Sequence, residues 1–317
     1  MTNFHFDDLR NQINEELLQI YNSGPKSLVE PINYVLAGKG KRFRPVLTFL
    51  SADACKGNVK DSFPVALAVE ILHNFTLVHD DIMDDDSTRH GKLTVHQKWD
   101  HGVAILTGDA MLSLALLTLQ KCSRNNQKIL KVFTDGLLAV CEGQAIDKEF
   151  ESNKNVSVDE YLNMIDLKTG YLIGMAAELG ALSITENESY CEALREYGYL
   201  IGRAFQIQDD LLELYSDTKK MGKSLDSDYL LGKKTYPLLK IKEQNSNELE
   251  SALKIAGDNV NLGKELIRGI LESTGIKKEI QKLISDMIKK ANNLLIENGL
   301  FTSHFKDFSL IIQNREK

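Results

Sequence analysis

The sequence predicts an all-α protein, a bundle of ten or more helices. Apolar residues recur at helical spacing along most of the chain, whereas the alternation that is typical of half-buried strands is nearly absent. The clearest pattern runs from Ile280 to Leu295, where apolar residues recur at helical spacing with Lys and Asn between them, before a plausible stop at Gly299. No repeat of roughly 20 to 50 residues is visible, which argues against a solenoid.

The other helices are predicted in chain order from the same spacing. Glycines, prolines or polar stretches separate them, beginning at Gly38 and Gly40, and the longest break covers residues 219–234. The predicted segments are 8–22, 28–37, 44–55, 63–83, 101–121, 126–149, 158–180, 189–215, 235–243 and 247–256.

Composition predicts one large domain, residues 1–317, in a soluble cytoplasmic protein. The chain has only five prolines and no Gly/Ser-rich linker, and 43% of its residues are hydrophobic. Its formal net charge of −7 argues against a nucleic-acid partner. Four widely separated cysteines fit a reducing compartment. The N-terminus does not resemble a targeting peptide, and the most apolar run, 110–119, is too short to span a bilayer.

The stretch HDDIMDDDSTRH, residues 79–90, contains five aspartates in seven positions. It follows a largely apolar segment, so it lies at the C-terminal end of a predicted buried helix. Carboxylates there face the negative pole of the helix dipole and repel one another. Asp80, Asp81 and Asp84 can point to one side of the helix. A solvated acidic loop is one interpretation, and a cation site that offsets the charge is the other.

A second acidic cluster, in the sequence YLIGRAFQIQDDLLELYSD near residue 200, has the same design. Asp209 and Glu213 are four residues apart at the end of an apolar helical stretch. Hard cations such as Mg²⁺ bind carboxylate, water and phosphate oxygens. The two clusters together therefore predict a magnesium site.

Basic residues in predicted loops supply the charge that binds an anionic ligand. Arginine suits bidentate phosphate binding, and lysine binds phosphate as a point charge. Each residue alone fits a solvated surface charge, but together they predict a polyphosphorylated substrate. They are Lys41, Arg42 and Arg44 in GKGKRFRP, Arg89 after the first cluster, and Lys223 and Lys233 after the second.

Seven motifs occur in an order that is typical of one enzyme family. They are GKGKRFRP, HDDIMDDDSTRHG, TGDAML, EGQAID, DLKTGYLIG, AFQIQDDLLE and LGKKTYP. With them the chain resembles the trans-isoprenyl diphosphate synthases, or polyprenyl synthetases, whose motifs include GGKRxRP, DDxxDxxxxRRG and FQxxDDxxD. The resemblance implies the isoprenoid synthase fold with a deep central cavity, normally a homodimer, and three Mg²⁺ per active site.

The resemblance also implies the reaction, in which isopentenyl diphosphate condenses with an allylic diphosphate. Mg²⁺ helps the allylic diphosphate ionise to a cation, which the isopentenyl double bond attacks. Released diphosphate then removes a proton, and water must be excluded because it quenches the cation. The implied residues are Asp80, Asp81 and Asp84 for two Mg²⁺; Asp209, Asp210 and Glu213 for the third; Arg89, Lys168, Lys223 and Lys233 for the allylic diphosphate; Lys41, Arg44 and His73 for isopentenyl diphosphate; and Thr169, Gln206 and the Lys168 carbonyl for the cation.

Two positions depart from the family pattern. His90 replaces the second arginine of the RRG element, which binds isopentenyl diphosphate in the family, and neutral imidazole is a poorer phosphate ligand. Glu213 replaces an aspartate, which keeps the charge but adds a methylene. Without the resemblance, His73 fits a core histidine, Gln206 a satisfied buried amide and Lys168 a helix-surface charge.

Two rival functions stay open at this point. A class I terpene cyclase shares the fold and the DDxxD helix, but it has no use for a second diphosphate site. Lys41, Arg44 and the second DD pair therefore argue against a cyclase. A non-catalytic partner subunit is conceivable from His90 and Glu213. The retained motif residues argue against it: Asp80, Asp81, Asp84, Asp209, Asp210, Lys168 and Lys233.

Product length in the family depends on side chains one to two turns before the first aspartate. Phe75 lies five residues before Asp80, about 7.5 Å along the helix axis, and Thr76 lies four before it. A single Phe here resembles synthases of the C20 product, geranylgeranyl diphosphate. Farnesyl diphosphate synthases often carry a second aromatic residue. We therefore expect a C20 product, with C15 as the alternative and a longer chain as a further one.

Overall fold

The computed structural model describes residues 6–38, 40–153, 155–215 and 234–313. Most of these residues are helical, so the predicted all-α class is confirmed. A short hairpin of β1 (Thr88–Arg89) and β2 (Lys92–Leu93) interrupts the helices. The helices are α1 (Phe6–Gln19), α2 (Lys26–Leu36), α3 (Phe43–Ala54), α4 (Phe63–Met83), α5 (Val95–Lys98), α6 (His101–Leu119), α7 (Asn126–Ser152), α8 (Val158–Ile165), α9 (Tyr171–Leu182), α10 (Glu188–Tyr215), α11 (Tyr236–Asp258), α12 (Val260–Ser273), α13 (Ile276–Glu297) and α14 (Ser303–Gln313), with a 3₁₀ turn at Val59–Ser62.

The predicted segments agree with the helices except at three places. The segment predicted at 158–180 is divided, because Asp166–Gly170 forms a π-helix between α8 and α9. The two segments predicted at 235–243 and 247–256 form one helix, α11, with a kink at Asn245. The apolar spacing did not predict α5, α12 and α14, because these helices are short or interrupted by glycine.

Residue contacts divide the chain into two compact units. The first comprises Met1–Leu137 and Leu172–Arg195, and the second comprises Leu138–Tyr171 and Glu196–Lys317. The single domain of residues 1–317 stays a prediction.

Helix α4 forms the centre of the first unit. Its sequence is apolar around most of its circumference, and Pro64 in the first turn suits a helix start. Most of its residues from Val65 to Leu72 are fully buried, and α3 and α6 pack against it. Thr48 of α3 also donates a hydrogen bond to the carbonyl of Ala176 in α9 at 3.0 Å. This packing fixes the position of the acidic end of α4.

The second unit is built on the C-terminal part of α10. Its fully buried Tyr197 packs edge-on against Phe305 of α14, with ring centroids 5.0 Å apart, and its hydroxyl lies 3.0 Å from Oγ of Ser309. Arg268 of α12 donates to the carbonyl of Leu214 at 2.5 Å. These contacts hold the acidic end of α10 against the C-terminal helices.

Helix α6 is long and apolar enough to cross a membrane by length and composition, with a hydropathy of 1.8 over its best window. It extends further than the run predicted at 110–119. One such helix is weak evidence for insertion, because core helices of soluble proteins have the same composition. In this structure α6 packs against α4.

Candidate active site

The first acidic cluster lies where the sequence predicts, at the C-terminal end of a buried helix. Asp80 and Asp81 are in the last turn of α4, and Asp84 is its C-cap, with its N–H 2.8 Å from the carbonyl oxygen of Asp80. Asp80 and Asp84 are half-buried, whereas Asp81 is buried. The two partly exposed carboxylates are thus the ones that an approaching cation can reach.

Asp81 is paired with Arg89 of the hairpin. Nε of Arg89 donates to Oδ1 of Asp81 at 2.6 Å, and Nη2 lies 3.4 Å from Oδ2 of Asp86. The hairpin folds Arg89 back over the helix end, so that one guanidinium bridges two carboxylates. Asp81 therefore positions Arg89 in this structure, while Asp80 and Asp84 are the more suitable metal ligands.

The basic motif GKGKRFRP contains two arginines with different environments. Arg42 is buried and pairs with Glu70 of α4 at 2.6 Å, while it also donates to Asn14 at 2.8 Å and to the carbonyl of Gly38 at 2.6 Å. Burial lowers the pKa of Arg44 to about 10, so that its guanidinium remains protonated at neutral pH. Arg42 therefore has a structural role, and Arg44 remains the candidate for anion binding.

A cleft of about 380 Å³ lies beside Arg42 and Glu70 in the first unit. Three of the residues predicted to bind diphosphate line it, namely Arg89, His73 and His90, and their binding role stays a prediction. Burial, together with the positive charges of Arg44 and Arg89, lowers the pKa of His73 well below its usual value. His73 is thus a neutral hydrogen-bonding group, and Arg89 carries positive charge in the cleft.

Three other predicted anion-binding residues lie near the cleft or outside the described residues. Lys41 is exposed beside Gly40 and Arg42, both of which line the cleft. Lys223 and Lys233 lie outside the described residues.

The second acidic cluster occupies the last turns of α10. Asp209 and Glu213 are half-buried, and Asp210 between them is buried. The two half-buried carboxylates are four residues apart on the helix, as predicted. They repeat the arrangement of Asp80 and Asp84.

Asp210 is the centre of a hydrogen-bond network within the second unit. It accepts hydrogen bonds from the Tyr161 hydroxyl at 2.5 Å, the Tyr236 N–H at 3.0 Å and Nε2 of Gln206 at 3.1 Å. Gln206 in turn accepts from Thr169 at 3.1 Å. Burial raises the pKa of Asp210 to about 6, although these hydrogen bonds act in the opposite direction. The network joins α8, α10 and α11 and orients the Gln206 amide.

Lys168 and Thr169 lie on the π-helix, where one extra residue in the turn changes the direction of the side chains. Nζ of Lys168 donates to Asp147 of α7 at 2.6 Å. A Cβ atom on Gly143 of α7 would lie only 2.4 Å from the backbone nitrogen of Lys168. The close approach of α7 to the π-helix therefore requires glycine at position 143. Helix α7 therefore supports the π-helix through Asp147 and Gly143.

Tyr161 and Asp147 also belong to this site, although neither residue was predicted from the sequence. Asp147 ends the EGQAID motif, so the motif order was a usable signal for it. Tyr161 carries no local signal, because its role depends on a partner 49 residues away in the chain.

Phe75 and Thr76 lie on α4, more than one turn before Asp80. Phe75 is buried, and its ring centroid is 4.8 Å from that of His79. Thr76 is half-buried, and its hydroxyl donates to the carbonyl of His73 at 2.8 Å. The Phe75 ring is thus fixed by packing, and the Thr76 hydroxyl is satisfied by its own helix.

Comparison with known proteins gives a consistent assignment. The family model described as polyprenyl synthetase matches residues 25–270. A short chain isoprenyl diphosphate synthase of Methanocaldococcus jannaschii is 40% identical over 261 residues, 81% of this chain and 79% of that protein. A geranylgeranyl diphosphate synthase of Saccharolobus solfataricus is 35% identical over 93% of this chain and 90% of its own.

Solved structures are similar over almost the full length. The crystal structure of a geranylgeranyl pyrophosphate synthetase from Pyrococcus horikoshii is 36% identical, with a TM-score of 0.87 and 98% coverage of both chains. The described helices thus follow the fold of that protein. From its fold, its motifs and these relatives, the chain belongs to the polyprenyl synthetase family.

Proposed function

We propose that the protein is a Mg²⁺-dependent prenyltransferase that condenses isopentenyl diphosphate with an allylic diphosphate into geranylgeranyl diphosphate. The observation that carries the proposal is the repeated acidic helix end, on α4 and on α10, in a chain of this family. The allylic substrate is dimethylallyl, geranyl or farnesyl diphosphate. The C15 product, farnesyl diphosphate, is the alternative.

The donor chemistry of both helix ends fits Mg²⁺. Asp80 and Asp84 offer partly exposed carboxylate oxygens, and Asp209 and Glu213 do the same on α10. Bound Mg²⁺ neutralises the charge that develops on a departing diphosphate. We assign Asp80 and Asp84 to two ions and Asp209 and Glu213 to the third, with Asp81 and Asp210 as supporting residues.

The remaining residues divide into three roles. Thr169, Gln206 and the Lys168 carbonyl present oxygen dipoles to the allylic cation, and the Asp210 network holds the Gln206 amide in place. The anion-binding residues fall into two groups. Arg89, Lys168, Lys223 and Lys233 hold the allylic diphosphate, and Lys41, Arg44, His73 and His90 hold isopentenyl diphosphate.

One assay tests the proposal. The purified protein is incubated with Mg²⁺, isopentenyl diphosphate and each allylic diphosphate in turn, and the products are identified by mass spectrometry. Linear diphosphates of greater length are expected. Hydrocarbon products would indicate a terpene cyclase, and no turnover with any substrate would indicate a non-catalytic subunit.

Phe75→Ala is expected to shift the main product to C25 or longer, with little change in the rate of the first condensation. The substitution removes a buried ring one to two turns before Asp80 and opens space for a longer chain. Products are separated by chromatography after dephosphorylation. An active variant with unchanged product length would show that Phe75 is not the cavity floor.

His90→Arg is expected to lower the KM for isopentenyl diphosphate several-fold more than the KM for the allylic substrate. Guanidinium binds phosphate bidentately and is always charged, whereas His90 is an exposed imidazole. Steady-state kinetics with each substrate varied in turn measures both constants. Equal effects on the two KM values would show that position 90 does not belong to the isopentenyl diphosphate site.

Gly143→Ala is expected to reduce kcat by about 100-fold, because a shift of about 1 Å in catalytic groups has an effect of this size. Its new methyl group would collide with the backbone of Lys168. Gly269→Ala on α12 is the matched control, since a Cβ there meets no atom within 4 Å. A Gly143→Ala enzyme with parental kcat would contradict the proposed role of the π-helix.

We also propose that the enzyme is a cytoplasmic homodimer. Ile105, Leu106 and Leu117 of α6 are about half exposed or more, and Leu130 of α7 is 47% exposed. None of the four cysteines forms a disulfide within the described residues, which fits a reducing compartment. Light scattering coupled to size-exclusion chromatography measures the mass, and a monomer at assay concentration would refute the dimer.

A further inference from the structure

A cluster of two histidines and one aspartate lies outside the diphosphate site. Asp85, His96 and His101 place one potential ligand atom each within 4.8 Å of the other two. They come from the turn after α4, from α5 and from the first residue of α6. None of the three is among the described residues that line the diphosphate cleft.

His96 is the residue that makes the cluster unusual. Its side chain is fully buried, yet neither Nδ1 nor Nε2 has a hydrogen-bond partner among the described residues. Buried polar atoms are nearly always satisfied, because desolvation without a partner is costly. Nε2 lies 3.7 Å from Oδ1 of Asp85, which is beyond hydrogen-bond distance, and the His101 ring lies 5.1 Å away between centroids. A group between these atoms would supply a partner for Nε2 of His96.

We propose that Asp85, His96 and His101 form a binding site for a divalent transition-metal ion of the Zn²⁺ class. Imidazole nitrogen suits Zn²⁺ and related ions, whereas Mg²⁺ prefers oxygen ligands. Three protein ligands with water in the fourth position form a common zinc geometry. The site therefore differs in chemistry from the all-carboxylate helix ends.

The local structure allows the three side chains to approach one another closely enough to bind a single metal ion. Ligands on a tetrahedral zinc lie about 3.4 Å apart, at Zn–N distances of about 2.1 Å. Asp85 and His101 are exposed and can rotate, while His96 is fixed in the core. The N-cap at Asp100, whose Oδ1 accepts from the Val103 N–H at 2.8 Å, holds His101 in the first turn of α6.

Calorimetric titration of Zn²⁺ into chelator-treated full-length protein tests the site. Excess Mg²⁺ is present in the buffer, so that the carboxylates at the ends of α4 and α10 bind Mg²⁺ and not Zn²⁺. We expect one Zn²⁺ per chain, and at least about tenfold weaker binding in both Asp85→Asn and His101→Gln. These exposed positions avoid the folding risk of a change at His96, and His304→Gln on α14 is the matched control.

The visible absorption of bound Co²⁺ identifies the ligands independently. The parent and His304→Gln are expected to show the band of a nitrogen-ligated ion, and His101→Gln is expected to lose it. A parent that binds no Zn²⁺ in excess Mg²⁺ would overturn the proposal. So would an unchanged Co²⁺ band in His101→Gln, since that result would place the ion on other ligands, such as the exposed Cys141.

Discussion

Asp84→Ala is expected to reduce kcat by about 1000-fold or more while leaving the fold intact, and Asp80→Ala is expected to do the same. Both carboxylates lie at the C-terminal end of α4, where they face the negative pole of the helix dipole. They are only half-buried, so that we expect little packing to be lost with either side chain. Their removal therefore relieves repulsion within the fold and deletes the oxygen ligands of the proposed Mg²⁺ site.

The measurement combines turnover at saturating Mg²⁺ with thermal unfolding in a chelator. Asp135→Ala, which changes an exposed carboxylate of α7, is the control and should retain parental kcat. An Asp84→Ala protein that unfolds where the metal-free parent stays folded would show that the acidic cluster is structural.

Glu70→Ala is expected to lower the free energy of unfolding by about 3–5 kcal/mol, a large share of the stability of a typical domain. Glu70 pairs with Arg42 at 2.6 Å, and the two side chains are only 5% and 3% exposed. Without Glu70 the Arg42 guanidinium keeps its charge in a buried position. The loss of the partner then costs more than the pair itself contributes.

Urea unfolding at neutral pH measures the change. The exposed pair of Lys131 and Asp135 supplies the contrast, because Asp135→Ala should change the free energy of unfolding by less than about 1 kcal/mol. High salt should leave the Glu70→Ala effect unchanged, since a buried pair is poorly screened. A loss below about 1 kcal/mol in Glu70→Ala would show that Arg42 gains solvent or another partner.

Regular patterns in the sequence determined the helical class and the ends of the two acidic helices. The prediction for 63–83 coincides with α4, because its apolar residues recur with helical spacing and Asp84 ends the run. The position of both DD pairs at helix ends followed in the same way. Periodicity is a local property of the chain. The helical segments and the positions of the two DD pairs could therefore be predicted without knowledge of distant contacts.

Only the tertiary structure decided the roles of residues within each motif. Arg42 and Arg44 are two positions apart, yet Arg42 is bound by Glu70 and Asn14, while Nε of Arg44 has no hydrogen-bond partner among the described residues. Asp210 is likewise buried under Tyr161, whereas its neighbour Asp209 is half-exposed. The sequence by itself determined which segments are helical and where charge is concentrated. Which charged group is satisfied by the protein depends on partners far along the chain, since burial and pairing are fixed by packing.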